Sequence, residues 1–189
     1  MTFDTSDRGI ATSRLTLVPA RDEFGGILRD FYLDNRSHLQ PWEPLRSDSF
    51  FDLSEIHRRL QSMEANSASG NALHLFLFLD ETGELVGECN FTNIARGPFQ
   101  ACHLGFSLGR RFEGKGLMYE ALAAAIPYVF ANLGLHRVMA NYRPENVRSG
   151  RLLQRLGFER EGLARSYLKI NGVWTDHVLT SVINEVAEN

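Results

Sequence analysis

The sequence predicts a mixed α/β fold of the α+β kind, with about seven mostly antiparallel strands and about four flanking helices. The length of 189 residues suits one domain, residues 1–189 with a core over about 13–184, and no repeat or long linker divides it. A block of antiparallel strand patterns precedes a helix, a strand, a second helix and a terminal hairpin. This order indicates a mixed sheet rather than a doubly wound one.

The N-terminal part begins with a strand and continues with two helices. Residues 13–18 alternate polar and apolar side chains and predict a strand that a proline stops. Apolar side chains at helical spacing predict helices over 22–35 and 52–65. Between them, two prolines within residues 38–46 exclude a regular helix there.

Three hairpin-connected strands follow. Residues 72–79 form a run of apolar side chains that predicts a strand buried on both faces. Turn signals at 80–83 and 95–98 separate it from strands over 84–93 and 101–108. These strands supply the antiparallel part of the sheet.

The remaining segments alternate helices and strands. Residues 114–133 carry an apolar stripe and end at a glycine, as a core-facing helix does. A short strand over 137–142 and a helix over 146–156 come next. Residues 158–183 alternate around an Asn-Gly pair at 171, which is a strong hairpin signal.

Composition and charge exclude several classes of protein. Hydrophobic residues make up 43% and charged residues 23%, as in soluble globular proteins, and the net charge of -3 disfavours a general nucleic-acid binder. Apolar runs such as 75–79 are far shorter than the about 20 residues of a membrane span. Residues 1–10 lack the apolar region of a secretory signal. We therefore expect a cytoplasmic protein that binds neither DNA nor membrane directly.

Cys89 and Cys102 are the two cysteines, too few for a disulfide scaffold. If the hairpin between them is symmetric, the two residues lie opposite each other. In a reducing compartment, ordinary strand thiols are favoured over a redox pair.

The most informative segment is a glycine-rich turn between the strand at 101–108 and the following helix. Gly114 and Gly116 allow close approach of a ligand to backbone amides, and Arg110, Arg111 and Lys115 add positive charge. The turn predicts a polyphosphate site, with ordinary turn chemistry as the alternative. A P-loop is disfavoured because glycine occupies position 116, where serine or threonine would hold magnesium.

In this turn Glu113-Gly114-Lys115-Gly116-Leu117-Met118 resembles the acetyl-CoA signature of the GNAT acetyltransferases, although Glu113 and Met118 depart from the pattern. An alternative register, Arg111-x-x-Gly114-x-Gly116, fits the signature letters better but begins too close to the strand. Downstream, Asn146 opens a helix that ends in Leu-Gly-Phe, which is similar to the second half-motif of that family. The strand at 136–142 and the Pro-Trp-Glu-Pro segment at 41–44 resemble the branch that acetylates the N-terminal alanine of the fifth protein of the small ribosomal subunit.

The resemblance implies acetyl-CoA as co-substrate, no metal, and a sheet that splays where the pantetheine arm lies. It implies that backbone amides of the strand at 106–108 polarise the thioester, and that the glycine-rich turn binds the pyrophosphate. The cofactor-binding residues that it implies are Phe106, Ser107, Leu108, Glu113, Gly114, Lys115, Gly116, Leu117, Met118, Asn141 and Asn146.

Direct attack of an amine on the thioester needs no covalent nucleophile, and the sequence shows no obvious nucleophile–base pair. An α-amine titrates near about 7.7–8.0 and a lysine near about 10.4, so an α-amine substrate needs only a weak base. Many members of the family place a tyrosine acid where this chain has Leu153. Ser149 matches the serine of relatives that act on ribosomal proteins and could donate to the leaving sulfur or cap its helix.

On the acceptor side, Glu43 is a candidate to orient the α-ammonium or accept its proton, against the alternative of a solvated loop acid. Trp42, Tyr142 and Tyr167 are candidate walls of the peptide slot, with aromatic core packing as the alternative. The histidines show no metal-ligand spacing.

Three functions stay open. The first is acetylation of a ribosomal protein N-terminus, free or on the ribosome, by a monomer or homodimer. The second is acetylation of a small-molecule amine. The third is a non-catalytic CoA-binding module, for which Glu113 and Leu153 would mark lost chemistry.

Overall fold

A computed structural model describes residues 9–185, which form an eight-stranded sheet in the order β1-β2-β3-β4-β5-β6-β8-β7. Every neighbouring pair is antiparallel except β5 and β6, which are parallel. The predicted mixed, mostly antiparallel sheet is thus confirmed, with one short strand more than expected. The strands are β1 Ile10–Ala11, β2 Leu15–Pro19, β3 Leu73–Leu79, β4 Glu84–Ala95, β5 Ala101–Leu108, β6 Arg137–Met139, β7 Glu159–Ile170 and β8 Val173–Ile183.

Five α-helices flank the sheet within residues 9–185, one more than predicted. They are α1 Gly25–Asp34, α2 Arg36–Leu39, α3 Leu53–Ala68, α4 Leu117–Leu133 and α5 Val147–Arg155. The additional helix, α2, enters the segment where two prolines were expected to prevent helix formation. It runs into the 3-10 helix Gln40–Trp42, whose proline lies in the first turn, where its missing N–H breaks no helical hydrogen bond.

The sheet separates two hydrophobic cores. Helices α4 and α5 pack on one face, together with Leu75 and Leu77 of β3. Helices α1 and α3 pack on the other face, where Phe76 points. Because both faces are covered, β3 is apolar at nearly every position, as the sequence predicted.

The two cysteines do not lie opposite each other, so that expectation was wrong. Cys89 pairs across the ladder with Phe106, whereas Cys102 lies beside Val138 of β6. A register shift near Asn93, whose φ is 52°, makes the hairpin asymmetric. Both thiols are free and buried, and burial raises the pKa of Cys102 to about 12. Such thiols are poor nucleophiles.

Within residues 9–185, no helix is both long and apolar enough to cross a bilayer. The expectation that residues 1–10 carry no secretory signal falls almost entirely outside the described part of the chain.

Candidate active site

A gap opens in the sheet between β5 and the chain that follows β6. Strands β5 and β6 pair over only three positions, 101–103 against 137–139. Beyond them β5 continues to Leu108 against β4, while Tyr142 turns away to bridge with Val178 of β8. The strand predicted to reach residue 142 therefore ends at Met139. This early end exposes one edge of β5 over residues 104–108.

The exposed edge presents backbone amides to the gap. The Gly109 N–H donates to the Val86 carbonyl oxygen at 2.8 Å, so that amide faces β4. Successive amides of a strand point to opposite edges, which directs those of Phe106 and Leu108 into the gap. These are amides of the segment expected to polarise a thioester.

A cradle of six residues, 113–118, lies between β5 and α4. Helix α4 begins at Leu117 rather than at Gly114, because Gly114 and Gly116 have φ values of 74° and 77°. A Cβ at Gly114 would meet no atom of the described residues within 4 Å, and no side chain among them caps α4. The first amides of a 17-residue helix are therefore open, and such amides suit a diphosphate.

Side chains around the cradle are mostly engaged in packing or ion pairs. Leu117 and Met118 point into the core, which leaves only their backbone for a ligand. Arg111 pairs with Glu84, and both Arg111 and Lys115 lie over the Phe112 ring. The positive charge predicted here is present, although part of it is neutralised.

Arg14, which directly precedes β2, contacts the cradle. The sequence did not indicate this contact. Its Nη1 donates to the Lys115 carbonyl oxygen at 3.1 Å, and its Nη2 lies 2.6 Å from Glu120 of α4. A Cβ at Gly116 would lie 3.7 Å from the same guanidinium. Arg14 therefore fixes the loop and adds a cation beside it.

Glu113, the acid that departs from the family signature, is paired with basic side chains. Its carboxylate pairs with Arg148 of α5, and its Oε1 lies 3.4 Å from His38 Nε2. The ion pair with Arg148 links the start of α4 to the start of α5. The charge of this acid beside the cradle is thus offset by a cation.

Helix α5 forms the opposite wall. The Asn146 Oδ1 accepts the Ser149 N–H at 3.1 Å, so Asn146 is the N-cap. The Ser149 hydroxyl is not used in that cap. Leu153 is buried in the core, and a Cβ at Gly150 would lie 2.8 Å from the Tyr142 ring. Tyr142 therefore packs on α5, which is the alternative to its expected role in the peptide slot.

Asn141 and Tyr167 are brought together at the end of the gap. The Asn141 Nδ2 donates to the Tyr167 hydroxyl at 3.2 Å. The Tyr167 ring lies 5.6 Å from the His177 ring and is 36% exposed, so one side of it is available to a ligand.

The acceptor loop, residues 40–46, is held against the β7–β8 hairpin. The Asn171 N–H donates to the Glu43 carbonyl oxygen at 2.8 Å. Arg143 donates to the Pro41 carbonyl oxygen at 2.9 Å and lies over the half-exposed Trp42 ring at 5.7 Å. These contacts hold Trp42 and Glu43 beside Arg143 and the β7–β8 hairpin.

The Glu43 side chain is 22% exposed and lies 3.6 Å from Arg46. Burial raises the pKa of Glu43, Arg46 opposes that rise, and the nearby Glu88 adds to it. Glu88 of β4 lies near this loop, and the sequence analysis did not single it out. A single acid among the mostly apolar residues 85–91 was the available signal.

The arrangement can hold a diphosphate at the cradle, an extended arm along β5 and an amine on the acceptor-loop side. Within the described chain, no three His, Cys, Asp or Glu side chains are grouped as a metal site.

Comparisons with known proteins agree with this geometry. Residues 14–159 match the family described as acetyltransferase (GNAT) domain. The [ribosomal protein uS5]-alanine N-acetyltransferase of Escherichia coli (strain K12) is 46% identical over 173 residues, or 92% of this chain and 89% of the relative. The crystal structure of ribosomal-protein-S5-alanine acetyltransferase from Vibrio fischeri superposes with a TM-score of 0.90 at 35% identity, covering 95% and 98% of the two chains. Mycobacterium smegmatis RimJ in complex with CoA-disulfide gives a TM-score of 0.86 at 29% identity, covering 93% and 84%.

Proposed function

This chain belongs to the GNAT acetyltransferase family, and on that basis we propose that it acetylates the N-terminal alanine of ribosomal protein uS5. It is an acetyl-CoA-dependent N-acetyltransferase. The observation that supports this activity best is the gap beside β5, which leads to the open amides at the start of α4. The uS5-alanine substrate rests on the 46% identity to the E. coli enzyme.

Each part of the site has a distinct task in direct attack within a ternary complex. The amides of Gly116, Leu117 and Met118 hold the diphosphate of acetyl-CoA, which supplies the acetyl group when bound. The amides of Phe106 and Leu108 hold the arm and stabilise the developing oxyanion. Asn141 and Asn146 border the arm from the other side of the gap.

Ser149 is proposed as the donor to the departing sulfur. The N-cap of α5 is supplied by Asn146, which leaves the Ser149 hydroxyl available. A hydrogen bond that strengthens as negative charge grows on sulfur lowers the barrier to thiolate departure.

The acceptor loop is proposed to receive the peptide N-terminus, with Glu43 facing the α-ammonium and with Trp42 and Tyr167 as walls. The raised pKa of Glu43 indicates a carboxylate that gains from a nearby cation. An α-amine is partly neutral near pH 7.5, which suits a site without a strong base.

The biological setting follows from the substrate. We propose one domain over residues 1–189, with its core at about 13–184, acting in the cytoplasm on a ribosomal protein that is free or on the ribosome. The proposed enzyme is a monomer or homodimer and binds neither DNA nor membrane directly.

Coenzyme A release tests the proposal. The wild-type protein is given acetyl-CoA with an Ala-initiated peptide of the uS5 N-terminus, the same peptide initiated by Asp, and spermidine. Turnover with the Ala peptide alone supports the proposal. Turnover with spermidine alone would replace it with a small-amine acetyltransferase, and CoA binding without any turnover would indicate a non-catalytic module.

A further inference from the structure

Building on the proposed function, we infer that Glu88 accepts a proton from the substrate's α-ammonium. The Ser107 hydroxyl transfers this proton from the α-ammonium to Glu88. Glu88 would thus be a positioning and proton-holding residue one strand away from the gap. The inference depends on the contacts around Glu88 and on the place of Ser107 at the edge of the sheet.

Glu88 is a buried acid whose hydrogen bonds are incomplete. Its side chain lies on the α1 face of the sheet and the residue is 6% exposed. The Tyr32 hydroxyl donates to its Oε1 at 3.0 Å, and the Ser107 hydroxyl approaches the same oxygen at 3.4 Å. Its Oε2 is buried without a hydrogen-bond partner among residues 9–185. An unsatisfied buried carboxyl oxygen is costly, and its presence calls for an explanation.

Ser107 joins this acid to the gap. It lies directly opposite Glu88 in the β4–β5 ladder, and its neighbours Phe106 and Leu108 present their amides to the gap. Ser107 is partly exposed, whereas Glu88 is not. A proton can therefore travel from the gap to the buried acid over one hydroxyl.

The charges around Glu88 come from every element packed against it. Tyr32 belongs to α1 and Arg59 to α3, while Glu43 and Arg46 lie in the acceptor loop. From the sheet, His74 of β3 is bonded to Asn90, the neighbour of Glu88 on the same face of β4. The acceptor loop and Glu88 thus share one polar cluster on the α1 face of the sheet.

This cluster favours proton transfer. Burial raises the pKa of Glu88, and polar contacts with Asn90, Tyr32 and Ser107 oppose part of that rise. A buried carboxylate with a raised pKa is a more effective base than an exposed one.

The proposed step conserves atoms and charge. The Ser107 Oγ accepts one proton from the α-ammonium while its own proton passes to the Glu88 carboxylate. The neutral nitrogen then attacks the thioester carbon, the C–S bond breaks, and the second amine proton ends on the thiolate to give the thiol. Glu88 returns its proton to water before the next cycle.

The test measures kcat against pH with saturating Ala peptide and acetyl-CoA. Glu88→Gln is expected to lower kcat by about 100-fold and to remove the rise in kcat with pH. Ser107→Ala should behave similarly because it breaks the connection. CoA affinity, measured by calorimetry, should be unchanged in Glu88→Gln, and far-UV circular dichroism reports whether both variants are folded.

Tyr32→Phe is the matched control, since it removes the other hydrogen bond to the same oxygen but keeps Glu88. Its plateau kcat should stay near that of the wild type. The rise with pH should shift to higher pH because the carboxylate has lost a donor that lowers its pKa. A purely structural role for Glu88 would not produce this shift.

A Glu88→Gln protein that acetylates the peptide at the wild-type rate and with the wild-type pH profile would overturn the inference and leave the proposed function intact. If Glu88→Gln does not fold, Ser107→Ala decides by the same criteria. A wild-type protein that binds CoA but never acetylates the peptide would instead overturn the proposed function, and this inference with it.

Discussion

At the scale of single residues, the two cradle positions require glycine because of their backbone conformation and not because neighbouring atoms leave no room for a side chain. Gly114 and Gly116 both adopt left-handed φ values, and a Cβ at either position would lie at least 3.7 Å from other described atoms. A side chain there costs roughly 1–2 kcal/mol through backbone strain. It would also fill the volume that a diphosphate needs. These two effects can be separated by experiment.

Gly116→Ala and Gly134→Ala form a matched pair, because Gly134 has φ 59° at the other end of α4 and is equally open. Both variants should lose about 1 kcal/mol of stability in urea unfolding. Only Gly116→Ala should weaken CoA binding, by about tenfold or more in calorimetry, because only its Cβ meets the ligand. Equal CoA affinities in the two variants would show that the cradle lies elsewhere.

Ser149→Ala and Asn146→Ala separate chemistry from helix capping at α5. Asn146→Ala should cost about 1 kcal/mol of stability because its Oδ1 accepts the Ser149 N–H. Ser149→Ala should leave stability and CoA affinity unchanged and lower kcat by roughly tenfold, as expected for one lost hydrogen bond to a developing charge. Thermal unfolding and steady-state kinetics measure both. A wild-type kcat in Ser149→Ala would remove its proposed role.

At the scale of elements, the cradle depends on a connection between the start of β2 and α4. Glu120 of α4 accepts hydrogen bonds from Thr12, Ser13 and the Arg14 backbone on Oε1, and from the Arg14 guanidinium on Oε2. The same guanidinium donates to the Lys115 carbonyl oxygen. One carboxylate therefore sets the position of the loop that is proposed to bind CoA.

Glu120→Gln tests this connection through its pH dependence. Burial alone would raise the pKa of Glu120, but the hydrogen bonds from Thr12, Arg14 and Ser13 lower it to about 2. Because the folded pKa lies below the unfolded one, the stabilisation is complete above about pH 4.5 and is lost as the pH falls toward 2. Urea unfolding should show the variant about 2 kcal/mol less stable at pH 7, with a smaller difference below pH 4. A difference independent of pH would contradict this account.

At the scale of the whole molecule, sequence patterns predicted the strands, the long helices and the glycine-rich turn because these depend on local periodicity. The gap could not be predicted from local patterns, because residues 137–142 have a strand pattern throughout. β6 ends early because Tyr142 pairs with Val178 of β8 instead of with β5. Glu88 was missed because its partners Tyr32 and Ser107 lie 56 and 19 residues away. Long-range contacts, rather than local signals, complete the site.

The acceptor loop is the clearest product of such long-range contacts, and it gives the last prediction. Arg143 holds this loop in place by a hydrogen bond to the Pro41 carbonyl oxygen and a cation–π contact with the Trp42 ring. Arg143→Ala should release the loop and raise KM for the Ala peptide about tenfold, the effect of one charged hydrogen bond, while CoA affinity stays unchanged. Arg58→Ala makes the same charge change on an exposed turn of α3 and should alter neither quantity. If KM is the same in both variants, peptide binding does not depend on where the loop is held, and Trp42 and Glu43 lose their proposed roles.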